Sequence, residues 1–292
     1  MTTTIPQARY RWVIVIASAL ILAISMGAIV NGMSAFIVPM QMQFGWPRGQ
    51  IALINFAGIM GLALADRKGT RPVVMFGVTV LGLCYLAAAF MTALWQFYLL
   101  FFIAGFFGAA AIFPPVMAAV GNWFFVGAGM AIGIASAGQA MGQGGVPFVS
   151  SFLIKAIGIS GAFWVTGVFM LVTLLPLSLL LRQPPSADDA QRKASAAEEE
   201  TLVPTNTVII TMSAAIILCC TCMSTPLMHL VPLIQDCGFA AEQAGSVIFV
   251  MLLVAIAGRL AFGKLADMIA VDLGGPETQP LYNALSQLVY AC

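Results

Sequence analysis

Apolar residues fall in long blocks near 12–36, 51–65, 72–94, 97–120, 129–157, 159–181, 208–232 and 243–262, separated by short polar stretches. A helix must be about 20 apolar residues long to cross the hydrocarbon of a bilayer, because every backbone polar group has to find its partner inside the helix. The pattern therefore predicts eight membrane-spanning helices, called spans one to eight below. Span two is the exception: its block of about 15 residues barely reaches across.

Composition agrees with the blocks. The chain is 61% hydrophobic and 8% charged, against about a quarter charged in soluble domains. A net charge of +1 and the lack of a basic run interleaved with aromatics exclude a nucleic-acid partner. Arg9 and Arg11 precede the first block, which exceeds the core of a cleaved signal and has no small-residue cleavage site after it, so it reads as a retained span. The six cysteines lie mostly inside apolar blocks, where they act as small hydrophobes, not as a disulfide framework.

Charge is unevenly placed. With the N-terminus in the cytoplasm, ten of the 12 Lys and Arg residues fall on inner loops or span ends, leaving Arg48 and Lys155 outside. That is the positive-inside asymmetry, and it holds if Arg259 is instead counted within the membrane. Residues 184–201, PPSADDAQRKASAAEEET, combine Pro, Ala and opposing charges with few apolar residues, the composition of a weakly ordered linker. The expected organisation is a six-helix half over 1–181, a cytoplasmic linker over 182–206, a partial second half of two helices over 207–268, and an atypical tail over 269–292.

The two halves repeat a motif. GLALADRKG at 61–69 recurs in weakened form within GRLAFGKLADMIA at 258–270, so that Asp66 is answered by Asp267, each after the second span of its half. The repeat also measures a shortfall. Gly45 lies 21 positions before Asp66, but its equivalent Gly238 lies 29 before Asp267, which makes span two about 12 Å shorter than its counterpart at ~1.5 Å per residue.

The stretch containing Asp66, Arg67, Gly69 and Arg71, between spans two and three, resembles the cytoplasmic loop motif of the major facilitator superfamily. It departs from that motif at Leu62, where glycine is usual, and at Thr70, where a basic residue is usual; the second copy keeps Gly263 and Asp267 but has Met268 and Ala270 for arginine and glycine. FGWPRGQI (44–51), GIASAGQAMGQGGVP (133–147) and CMSTPLMHLVPLIQDCGF (222–239) are similar to the bacterial monocarboxylate and oxalate–formate porters. The resemblance implies an all-α integral membrane bundle in the bacterial inner membrane, without a cofactor. It also implies carriage of a small organic anion by alternating access, with a proton or a counter-anion as the coupled species. Four more spans would complete such a bundle. The chain therefore also reads as a truncated, non-transporting remnant or an accessory membrane subunit.

Candidate residues follow from cost. A charge at membrane depth costs roughly 2.5–3.5 kcal/mol on insertion scales and so marks function by default. Arg259 in span eight resembles the arginine that binds substrate carboxylate in these porters, and its planar fork of donors suits a carboxylate; the alternative is an arginine that snorkels to the interface. Ala255 stands where proton-coupled relatives carry aspartate, which weakens proton symport. His229, the single histidine, suits proton coupling or anion recognition, or is an ordinary interfacial residue. Asn31, Gln139 and Gln143 either face a cavity or hydrogen-bond between helices. In the loop motif and its copy, Asp66, Arg67, Gly69, Arg71, Gly263 and Asp267 either gate the cytoplasmic side or anchor helix ends, and an aspartate there is favoured at a helix N-terminus.

Gly129, Gly133, Gly138 and Gly142 form small-xxx-small pairs suited to close helix packing. Pro72 fits the first turn of span three, while Pro114, Pro115, Pro147 and Pro226 should bend their helices. Cys219 and Cys222 lack the second cluster a metal site needs, and no nucleophile elbow, HExxH or phosphate loop occurs, so the pattern is not that of an enzyme. Single cysteines placed at positions 66 and 267 are expected to react with an impermeant maleimide from the same, cytoplasmic face; reaction from opposite faces would contradict this topology.

Overall fold

The computed structural model describes residues 7–47, 49–51, 53–54, 70–124, 128–182, 214 and 241–272. Every regular element among them is helical. Tyr10–Asn31, Arg71–Ala88, Leu94–Trp123 and Ala128–Leu180 are long and apolar enough to cross a membrane. Span two beyond residue 54, the linker after 182 and span seven lie outside the described residues.

Span one runs further than the apolar block foretells, as Gln7–Met26, a π-helical turn Gly27–Asn31, a 3-10 turn Gly32–Phe36 and a last helix Ile37–Phe44. Ile14, Ser18, Ile21, Leu22, Ser25 and Ile29 are buried at helical spacing, while Trp12, Ile16 and Leu20 face outward. Gly45 ends the run with φ 70°, donating its N–H to Gln41 O, the left-handed cap that glycine adopts without a Cβ penalty.

Span three is Thr70–Ala88, with Pro72 in the first turn, where its missing N–H breaks no helical bond. Span four comprises Leu94–Ile103, a π-helical turn Ala104–Ala109 and Ala110–Trp123. The wide turn directly precedes Pro114 and Pro115, two devices associated with helix bending placed together. Spans five and six form one trace, Ala128–Leu180, divided at Gly158 by φ 76° and ψ 178°. That is where the apolar pattern sets its boundary, and the positive φ there favours glycine.

Span eight differs more. It extends as Ala241–Asp272, ten residues past the expected end at 262. The second motif copy is therefore helical, not a loop. It lacks the glycine and proline that stand at Gly69 and Pro72 in the first copy, so the helix runs on to Asp272, just before Gly274, Gly275 and Pro276.

The chain forms two compact units: Met1–Trp123 with Gly138–Gln183, and Phe124–Ala137 with Pro184–Cys292. The beginning of span five thus clusters with the second unit, although the sequence places all of it in the first half.

Within the first unit, alternating spans bring matching ends together. At one end Tyr10 donates to Leu180 O at 2.8 Å, the Trp123 indole donates to Arg182 O at 2.7 Å, and the Arg182 guanidinium lies 5.8 Å from the Tyr10 ring centroid. At the other, Phe36, Tyr85, Phe97 and Phe101 surround Phe163, with ring centroids 4.1–6.5 Å from it. Tyr85 sends its hydroxyl to Ala28 O in the wide turn of span one, at 2.8 Å. Spans one and five meet through glycine. A Cβ at Gly138 would come within 2.6 Å of Ala19 O, and one at Gly142 would strike the Ala23 backbone.

Gly142→Ala is therefore expected to destabilise the purified protein by roughly 1–3 kcal/mol through overpacking. Gly145→Ala, where a Cβ meets nothing within 4 Å, should be neutral or slightly stabilising. Thermal unfolding in detergent checks both, and equal Tm changes would contradict the packing.

Candidate functional site

The second unit carries a stripe of chemistry. Arg259, Gly263 and Asp267 recur every four residues along span eight and so share one face of it. That face meets the first turns of span five. A Cβ at Gly129 would lie 2.5 Å from Gly263 O, and one at Gly263 would lie 2.6 Å from Gly129 O, so the two backbones approach as only glycine allows. One turn further on, a Cβ at Gly133 would lie 3.0 Å from Arg259 O.

The approach delivers Asp267 to the start of span five. Its Oδ1 accepts the Gly129 N–H at 2.8 Å and its Oδ2 the Met130 N–H at 2.7 Å. The helix begins at Ala128, so both N–H groups belong to the first turn, which has no partner within its own helix. A carboxylate there satisfies two donors and meets the positive end of the helix dipole. The sequence-based affinity of this aspartate for a helix N-terminus is realised, with the carboxylate supplied from another span.

Arg259 sits two turns earlier, about 12 Å along the helix axis. It is half-buried, and its guanidinium donates to the backbone carbonyl of Ser136 on span five. The Ser136 side chain is buried, and its Oγ has no hydrogen-bond partner among the described residues. No pattern in GIASAGQ singles out this serine, and sequence reasoning passed over it.

The other candidates separate by unit. In the first, Asn31 Nδ2 donates to Gln143 O at 3.3 Å. Pro147 explains that bond: it has no N–H, so the carbonyl four residues before it loses its helical donor. The Asn31 amide thus bridges spans one and five. Gln143 is buried, and its Oε1 has no partner among the described residues, while Gln139 is half-buried. Arg71 is exposed in the first turn of span three. His229, Asp66, Arg67, Gly69, Cys219 and Cys222 lie outside the described residues.

The sequence pattern of the Major Facilitator Superfamily matches residues 56–291. Monocarboxylate transporter 13 of Rattus norvegicus is 26% identical over 223 residues, 75% of this chain and 51% of that one. The chain thus spans about half the length of that curated relative. A short stretch of 34 residues, 12% of this chain, is 65% identical to 8% of the 5-methylthioadenosine/S-adenosylhomocysteine deaminase of Desulfovibrio desulfuricans. In fold, the chain is similar to a D-xylose-proton symporter, with TM-score 0.58 and 14% identity, over 97% of this chain and 79% of that one.

Asp267→Ala is expected to cost about 1–2 kcal/mol, the worth of a charged cap at a partly buried helix N-terminus. Asp267→Asn, which keeps one acceptor, should lose less. Tm measurements in detergent order the three proteins, and an alanine variant as stable as the parent would contradict the cap.

Proposed function

The chain belongs to the major facilitator superfamily, and from that premise we propose that it carries small organic anions, monocarboxylates foremost, across a membrane by alternating access. The observation that carries the reading is Arg259: a half-buried guanidinium on span eight, whose apolar block the sequence predicts to cross the bilayer, turned to a neutral backbone carbonyl. Burying a cation at that depth is costly, and a carboxylate is a stronger acceptor than an amide, matched to two guanidinium donors at once. Arg259 accordingly holds the substrate carboxylate. The 26% identity to a monocarboxylate transporter supports the same class of cargo.

Asp267 at the start of span five and Asp66 in the first motif copy serve as matched gate elements. Separating spans five and eight strips the Gly129 and Met130 N–H groups of their acceptor, so the closed arrangement is favoured until another interaction replaces it. Arg67, Gly69, Arg71 and Gly263 belong to those elements, while His229, Asn31, Gln139 and Gln143 are the polar groups left for substrate or for the coupled proton or counter-anion. The setting is a bacterial inner membrane with the N-terminus in the cytoplasm.

Purified protein in proteoliposomes is expected to take up labelled lactate, formate or oxalate. Arg259→Ala should reduce uptake at least tenfold, and Arg259→Lys, which keeps charge but not the fork, should recover part of it. Uptake unchanged in Arg259→Ala removes this residue from the site, and no uptake of any of the three anions overturns the proposal.

A further inference from the structure

A hydroxyl side chain in a helix ordinarily returns its proton to a carbonyl three or four residues earlier. Four in this structure do so: Ser25 to Ile21 O, Thr79 to Met75 O, Ser151 to Pro147 O and Ser178 to Leu175 O, at 2.6–2.9 Å. Ser136 does not. It is 6% exposed, and its Oγ has no partner among the described residues. Ser18 Oγ and Gln143 Oε1 share that condition, but Ser136 alone of the three is the residue whose backbone Arg259 engages. A buried hydroxyl left unspent is costly, and a cation that turns to the same residue gives both groups one natural ligand.

We propose that Ser136 is a second substrate-contacting residue, whose hydroxyl donates to one oxygen of a small carboxylate while Arg259 holds the other. This inference rests on the carboxylate reading of Arg259 given above and adds to it. Ligand entry exchanges the charge-to-carbonyl bond at Ser136 O for charge-assisted bonds to the carboxylate from both residues. Gly133, one turn before Ser136, keeps the span-five backbone close to that of Arg259.

The test uses the full chain in proteoliposomes with Ser136→Cys, reading maleimide labelling of residue 136 by peptide mass spectrometry. Lactate is expected to slow labelling at least fivefold, uncharged methyl lactate to leave it unchanged, and Arg259→Ala to abolish the protection. In uptake, Ser136→Ala should raise the lactate KM about tenfold to a hundredfold, the worth of one hydrogen bond to a charged group, with little change in kcat, and Ser136→Thr should restore it. A residue 136 that never labels, labelling indifferent to lactate, or a KM in Ser136→Ala equal to the parent's overturns the proposal. Absence of uptake in the parent would count against transport instead, and the labelling would still decide whether a carboxylate binds beside Ser136.

Discussion

A backbone in hydrocarbon has no water to turn to, so each place where a helix is interrupted must be repaired by a side chain. The structure meets that requirement at three points. The Tyr85 hydroxyl serves a carbonyl in the wide turn of span one, the Asn31 amide serves the carbonyl that Pro147 orphans, and the Asp267 carboxylate serves two N–H groups at the start of span five. Each repair comes from a different span than the one it mends. The irregular points therefore fix which helices adjoin.

Such repairs need short reach, and glycine supplies it. Asp267 is a short side chain and can touch the Gly129 and Met130 amides only because Gly129 and Gly263 let their backbones meet. Gly138 and Gly142 do the same against Ala19 and Ala23, which brings Asn31 within reach of Gln143 O. Glycine is thus used within each unit separately, Gly129 and Gly133 against span eight in one, Gly138 and Gly142 against span one in the other. Close packing and hydrogen bonding are one device here, since enlarging a glycine would also withdraw the polar partner beside it.

Much of this was legible. Apolar blocks gave the positions of spans one, three, four, five and six, Gly158 marked the break between the fifth and sixth, and the repeat singled out Asp267. Other features left no trace in hydropathy. A block of apolar residues measures how much helix lipid can cover, not where the helix stops, so the continuation of span eight to Asp272 had no signal other than the missing Gly and Pro. The wide turns at 27–31 and 104–109 lie inside apolar blocks that hydropathy alone does not divide. Ser136 was invisible because a hydroxyl in a run of small residues looks like packing until its Oγ is found without a partner. The short span two, Asp66 and His229 lie outside the described residues.

The two charges on span eight differ in how replaceable their partners are. Asp267 faces backbone donors at a helix terminus, groups that have no other partner in their own helix and cannot leave. Arg259 faces the Ser136 carbonyl, which lies in the interior of a continuous helix where the amide four residues later is a ready partner. Removing Asp267 would strand two donors, whereas the Ser136 carbonyl keeps a helical donor when Arg259 turns away. A ligand can therefore compete for the arginine at little cost to span five, while the aspartate contact yields only when the helices themselves part. Binding and gating thus fall to different residues of one helical stripe, and the chemistry of the partner groups, more than the charges themselves, assigns them.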